Sequence, residues 1–336
     1  MITASPSARL SLPATDWREL WRQAITDPAE LLQAVGLGER SDLLPADDAG
    51  FALRVPRGFV ARMRRGDPHD PLLLQVLPRR AEHDQVEGYA TDAVGDMAAK
   101  AGHGMLHKYE GRALLIASGS CAINCRYCFR RHFPYNEEIA AASQWREALA
   151  RLRADPSIRE LILSGGDPLA LATRKLEELG RGLAELPQVI RLRIHSRLPV
   201  VLPERIDDAF VAWLGNLPLQ KVVVLHANHP NELDASVDAA CARLRDAGAS
   251  LLNQSVLLRG INDDADTLAE LSERLFAAGV LPYYLHQLDR VQGAAHFEVS
   301  DAEALELQQK LRARLPGYLV PRLVREVAGD TAKRPL

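Results

Sequence analysis

From about residue 101 onward, short apolar runs and amphipathic stretches alternate six times, and few folds accommodate that alternation. The candidate strands are Ala113–Ser118, Glu160–Ser164, Val189–His195, Lys221–His226, Leu251–Val256 and Pro282–His286. Between them run stripes at helical spacing: Trp145/Leu149/Leu152, Leu176/Leu179/Leu183, Ile206/Phe210/Trp213, Val237/Cys241/Leu244 and Leu268/Leu271/Leu275. Ser300 and Glu303 form a capping box that opens a sixth helix. Strands that alternate with helices pair in parallel, since each helix carries the chain back across the sheet. The pattern predicts an α/β fold with a parallel sheet inside and helices outside.

Polar residues gather where these strands end. A cysteine loop follows the first, Ser164-Gly165-Gly166-Asp167 closes the second, and His195 to Arg197 the third. His226 ends the fourth, Gln254 lies in the fifth, and His286 to Asp289 closes the sixth. In barrel-like α/β folds the active site is built at the C-terminal ends of the strands. One polar site fed by six strands is expected.

The cysteine loop places Cys121, Cys125 and Cys128 in a C-x3-C-x2-C run, with Tyr127 before the last. Three thiolates on one loop hold three irons of a 4Fe–4S cluster and leave the fourth iron open for a ligand. A zinc site is the alternative, and would draw a fourth ligand from nearby, His132 being the candidate. The remaining cysteine, Cys241, falls on a helical stripe and reads as core. Four cysteines in 336 residues, with no apolar signal segment after Met1, lead us to expect a reduced, cytoplasmic chain.

Residues 1–100 read as a mostly helical N-terminal region, distinct from 101–336. Asp16 caps a helix bearing Trp17, Leu20, Trp21 and Ala24; Asp27-Pro28 starts a second with Leu31, Leu32 and Val35 inward and Gly36 as its stop. The proline-punctuated stretch from Gly66 to Pro78 reads as irregular. The arginines between Arg54 and Arg65 read as a solvated face or an interface.

The cysteine loop resembles that of the radical S-adenosylmethionine superfamily, and the chain from about Asp67 to Leu336 resembles the lysine 2,3-aminomutase family within it. Within that family it resembles the shorter branch that makes β-lysine for elongation factor P. The resemblance implies a partial (βα)6 TIM-like barrel and three cofactors: a 4Fe–4S cluster on Cys121, Cys125 and Cys128, S-adenosylmethionine and pyridoxal 5′-phosphate. It implies that the Ser164, Gly165, Gly166, Asp167 turn binds the amino group of S-adenosylmethionine, with His195, Arg197, His226 and Gln254 as further contacts. Lys333, read alone, is a solvated charge near a terminus; by resemblance it is the lysine that forms the Schiff base with pyridoxal phosphate. Lys108, Tyr109 and Arg112 match the run that binds that cofactor's phosphate and ring, Lys108 replacing an arginine. Arg130 matches the grip on the substrate carboxylate; Asp289 and Glu326 match the acids that hold its distal ammonium, Glu326 replacing an aspartate. The sequence stops three residues past Lys333, where longer relatives carry an extension with metal-binding cysteines.

The implied reaction moves the amino group of L-lysine from C2 to C3, started by a 5′-deoxyadenosyl radical that an external electron donor makes possible. Two alternatives stay open: a catabolic lysine aminomutase, and a radical enzyme of this superfamily without pyridoxal phosphate. A cluster-carrying interaction module is a third, and the substrate-type residues speak against it. The composition is that of a globular chain, 47% hydrophobic and 25% charged, with a net charge of −3 that offers nucleic acid no partner. No apolar run approaches the roughly 20 residues of a membrane span. The partners implied are lysine, an electron donor, and a functional link to elongation factor P and its lysylating enzyme.

Overall fold

The six apolar runs become consecutive parallel strands of one sheet. The computed structural model describes residues 16–44, 52–143 and 145–336. Its strands are β1 (Lys100–Gly102), β2 (Met105–Tyr109), β3 (Arg112–Ser118), β4 (Glu160–Gly165), β5 (Arg191–Ser196), β6 (Gln220–Leu225), β7 (Ala249–Val256), β8 (Leu281–His286), β9 (Arg322–Arg325) and β10 (Arg334–Pro335). They lie side by side in sequence order. Pairing is parallel from β3 to β9 and antiparallel at both ends, where β1 and β2 precede and β10 follows. The six expected strands are therefore flanked by a hairpin on one side and by β9 and β10 on the other. The order ends at β1 and β10 without closing, but the sheet curls: Lys108 of β2 reaches Glu326, just past β9, at 3.0 Å. This is a partial barrel.

The strands turn their two faces to different neighbours, as the period of two requires. In β5, Leu192, Ile194 and Ser196 are buried under the helices, so Arg191, Arg193 and His195 project to the concave side. In β7, Asn253 and Ser255 are buried outward and Gln254 and Val256 line the interior.

The helices are α1 (Trp17–Arg22), α2 (Pro28–Ala34), α3 (Arg57–Val60), α4 (Pro71–Leu74), α5 (Arg146–Ala154), α6 (Thr173–Ala184), α7 (Leu198–Val201), α8 (Asp208–Asn216), α9 (Ala235–Asp246), α10 (Ala265–Ala277) and α11 (Asp301–Arg314). Asp207, Asp234, Asp264 and Ser300 cap α8, α9, α10 and α11 through side-chain oxygens, satisfying backbone N–H groups that the first turn leaves free. The expected stripes are buried except at Leu149, which is half-buried; each fully covered leucine of α6 contributes about 1.5–3 kcal/mol. Trp145 stands ahead of α5, not within it, at a left-handed φ of 65°, with its indole N–H on the Lys175 carbonyl at 2.9 Å. Ile206 and Ala24 likewise fall just outside the helices expected to carry them.

In the N-terminal region, residues 1–15 and 45–51 lie outside the described residues. Elsewhere Asp16 and Asp27 cap α1 and α2, and Gly36 follows α2 at a φ of 76°. The stretch expected to be irregular contains α4, because Asp70 accepts from the N–H groups of Leu72 and Leu73 at 2.9 Å. The region packs onto the barrel: Trp17, Phe59 and Leu72 share one buried cluster with Val201, Phe210 and Leu244. Arg62, expected in a solvated face or an interface, is buried against the barrel and donates to the carbonyls of Glu232 and Val200. Among the described residues no helix is long and apolar enough to cross a membrane.

Candidate active site

Every site residue expected from the sequence lines one cavity of about 440 Å³ on the concave side of the sheet. Cys121, Cys125 and Cys128 sit in its wall on the loop after β3; Ser164 to Asp167 span the end of β4 and the turn beyond it; His195 and Arg197 come from the end of β5. His226, Gln254 and Asp289 close the ring, while Lys108, Tyr109, Arg112, Glu326 and Lys333 arrive from the two ends of the sheet. The C-terminal ends of the strands thus converge as their polar endings required.

The three cysteines suit a cluster. Burial pushes the Cys121 thiol well up and the Cys128 thiol up to about 11; the Cys128 and Cys125 sulfurs add to the first shift and Cys125 to the second. Thiols that oppose one another's ionisation are stabilised as thiolates by bound iron, whose positive charge reverses that balance. Among the described residues no three His, Cys, Asp or Glu side chains converge as ligands of a single metal ion, and exposed His132 turns to the Gln292 carbonyl at 3.3 Å. A zinc site through His132 finds no support in that geometry. Cys241 is fully buried on α9, away from the cavity lining.

The glycine turn after β4 is built against the cysteine loop. A Cβ on Gly165 would lie 2.6 Å from the Ser118 carbonyl oxygen, and one on Gly166 2.7 Å from that of Ser120. Gly166 N–H donates to Ser118 O at 2.7 Å and Asp167 N–H to Ser120 O at 2.9 Å. The missing side chains therefore let two backbones touch. Asp167 is equally engaged: Oδ1 accepts from Ser196 Oγ (2.7 Å) and Leu169 N (2.9 Å), Oδ2 from Arg197 N (2.8 Å) and Leu198 N (3.1 Å). Its carboxylate fastens the end of β4 to the end of β5 and has no acceptor position left over for an ammonium, contrary to the expectation.

Charges alternate at the mouth of the sheet. Lys333 is ion-paired with Glu326. Lys108 Nζ bridges Glu326 (3.0 Å), Asp96 (2.7 Å) and the Val94 carbonyl (2.8 Å). Arg130 gives Nε to Asp96 at 2.6 Å and Nη1 to Ser164 Oγ at 3.0 Å. Burial works against Glu326 ionising, but Lys333 and Lys108 hold its carboxyl down at about 2. Asp289 has no such partner among the described residues: its Oδ1 is buried without a hydrogen bond, and burial plus the nearby Glu326 charge push it up to about 7. Arg112 makes no ion pair among the described residues; its Nε is buried unpaired and its guanidinium lies 4.6 Å from the Tyr109 ring centre. Burial keeps His195 and His286 neutral, both well below the usual range, and His226 at about 3.

Asp96 escaped the sequence reading, as did Tyr284 and Arg193. Asp96 sits in an unpatterned loop before β1, and only its spatial position between two cations marks it. Tyr284 and Arg193 point inward by strand alternation, a signal that was available from β8 and β5.

The radical SAM superfamily model matches residues 115–271. The chain is 49% identical to an L-lysine 2,3-aminomutase of Escherichia coli over 96% of its length and 94% of the relative's. It is 47% identical to one from Haemophilus influenzae, covering 95% and 94%. A relative of the same name from Clostridium subterminale is 32% identical over 96% of this chain and 77% of its own. The chain belongs to the L-lysine 2,3-aminomutase family. Members of this family of radical SAM isomerases use a 4Fe–4S cluster, S-adenosylmethionine and pyridoxal phosphate, and the cavity's residues fit all three. The thiol set suits the cluster, and unpaired Arg112 with Lys333 suits a phosphorylated aldehyde.

Proposed function

We propose that this aminomutase converts L-lysine to β-lysine. The observation that carries the reading is Asp289, a carboxyl with a buried, unpartnered oxygen beside Glu326, in the same cavity as the loop cysteines and Lys333. An unpaired acid in a dry site calls for a cation, and the distal ammonium of lysine supplies one. Arg130 has Nη2 left over after its bonds to Asp96 and Ser164, and takes the carboxylate at the other end of the substrate.

When bound, the cluster with S-adenosylmethionine supplies the hydrogen-abstracting radical, and pyridoxal phosphate supplies the conjugated system across which the amino nitrogen moves. Lys333 provides the amine that attaches the pyridoxal, and Glu326 holds that amine in place beforehand. Arg112, which makes no ion pair among the described residues and has a buried, unpaired Nε, would hold the phosphate. His195, His226 and His286 stay neutral and add no cation to compete with the substrate ammonium. Fixing lysine at both ends leaves one carbon presented to the radical. The β-lysine so made serves the modification of elongation factor P, a role that rests on the sequence resemblance to that branch.

Anaerobically reconstituted protein, given lysine, S-adenosylmethionine and a reductant, should yield β-lysine. Borohydride should trap pyridoxal phosphate on Lys333. Turnover with no trapped cofactor would favour a radical enzyme that does without pyridoxal phosphate. Supplying the product to the elongation factor P lysylating enzyme and weighing the factor tests the biological role: no mass gain would point to catabolism.

A further inference from the structure

The sulfur of Cys125 has a charged neighbour that no role in lysine chemistry explains. Arg197, just past β5, donates Nη1 to Cys125 Sγ at 2.7 Å. Its guanidinium is held from behind: Nη2 donates to Glu232 Oε2 at 2.9 Å and to Gln75 Oε1 at 2.7 Å. Glu232 is fully buried, and its Oε1 accepts from Gln75 Nε2 (3.1 Å) and from the N–H groups of Asn228 (2.8 Å) and His229 (3.1 Å). The Arg197 backbone N–H is tied to Asp167. Residues from the N-terminal region, from β5 and from the segment after β6 thus fix one guanidinium on one cysteine.

We propose that Arg197, clamped by Glu232 and Gln75, is a positioning residue that sets the reduction potential of the cluster through the Cys125 sulfur. The inference rests on Cys125 being a cluster ligand and is independent of the substrate. Cluster potentials respond to net charge and to hydrogen bonds on the sulfurs. Reduction adds one electron from an external donor, with no bond made or broken, so the cluster becomes more negative by one charge. A cation touching a ligand sulfur stabilises that reduced form more than the oxidised one. Glu232 opposes the effect from the far side of the guanidinium and so acts more weakly. Arginine keeps its charge at every accessible pH, so the bias is permanent.

The test uses the full chain with its reconstituted cluster and no S-adenosylmethionine, which keeps any contact through the unpaired Arg197 Nε out of the measurement. Reductive titration with dithionite is followed by electron paramagnetic resonance. Arg197→Met should shift the one-electron equilibrium toward the oxidised form about tenfold or more, roughly 59 mV. Arg197→Lys should fall between it and the parent. Glu232→Gln, which keeps the shape and removes the opposing charge, should shift it the other way. General loosening of the loop would move Arg197→Met and Glu232→Gln in the same direction, and that result overturns the proposal. So does an Arg197→Met titration that overlays the parent's. Should Arg197→Met fail to hold iron, Glu232→Gln decides: an unchanged potential overturns the proposal. Iron content of the parent protein is measured first, and its absence would remove the cluster reading and this inference together.

Discussion

Lys333 pairs with Glu326, and Glu326 is simultaneously held at 3.0 Å by Lys108 from the opposite end of the sheet. Removing Lys333 therefore leaves the carboxylate with a partner. Lys333→Ala should fold with little change in melting temperature, lose aminomutase turnover and borohydride trapping, and still cleave S-adenosylmethionine reductively. Normal lysine turnover in this variant would rule out Lys333 as the cofactor's attachment point.

Asp289 gives the site a pH dependence. Burial first, then the Glu326 charge, raise its carboxyl to about 7 from an ordinary 3.8. A carboxyl with a raised folded-state value favours the fold when protonated, so this stability is complete below 3.8 and is lost as pH rises through about 7. Lysine binding runs the other way, because the ammonium needs the carboxylate. Affinity should rise roughly tenfold per pH unit up to about 7 and level off above it. Asp289→Asn should flatten the profile and weaken lysine binding on the alkaline side; an unaltered binding curve would remove Asp289 from the substrate pocket.

The Gly165 backbone has a φ of 115°, and an added Cβ would strike a carbonyl oxygen, not a movable side chain. Left-handed backbone alone costs about 1–2 kcal/mol for a residue with a Cβ. Gly165→Ala should lower the melting temperature and the iron content together, since the atom struck belongs to Ser118, three residues before Cys121. Gly58→Ala, whose Cβ meets open space, is the control and should change neither. Full iron loading of Gly165→Ala would mean that the turn is not braced on the cysteine loop.

Several of the parallel strands were legible because they are near-continuous apolar runs ended by a polar residue, as in Ala113–Ser118 and Lys221–His226. The hairpin of β1 and β2 was not, because His103 and Lys108 interrupt any period and neighbouring strands decide its pairing. The cavity's membership was readable from strand endings, but its ion pairs were not. Asp96, Lys108 and Arg130 lie in three segments with no shared pattern, and only the folding of the loops before β1 and after β3 around β2 brings them together. Asp167 illustrates a related limit: the motif located it, but of the four donors that saturate it only Leu169 N belongs to its own turn, and three come from Ser196 to Leu198.

Cys121, Cys125 and Cys128 face the cavity, and Cys241 is sealed in the helix layer. Alanine at any of the first three should collapse iron content and the cluster's visible absorption. Cys241→Ala should keep both, with only the small loss expected from trimming a buried sulfur. Iron lost from a folded Cys241→Ala protein would overturn the ligand assignment.

Asp96 joins the two ends of the proposed substrate and cofactor site. Its side chain is nearly inaccessible, with Arg130 Nε at 2.6 Å on one oxygen and Lys108 Nζ at 2.7 Å on the other. Burial opposes its ionisation, yet Arg130 and Lys108 together hold its carboxyl below the ordinary 3.8. A lowered carboxyl stabilises the fold above that ordinary value, and the contribution is lost as pH falls through the folded-state value beneath it. Asp96→Asn keeps the shape but leaves buried Arg130 without a carboxylate, while Lys108 keeps Glu326; removing one member of a buried pair costs about 3–5 kcal/mol. Urea unfolding at neutral pH should show that loss, and the acid limb of the parent's stability profile should flatten in the variant. If Asp96 also positions Arg130 for the lysine carboxylate, KM for lysine should rise while the affinity for S-adenosylmethionine holds. Reduced stability with an unchanged lysine KM would leave Asp96 a purely structural role.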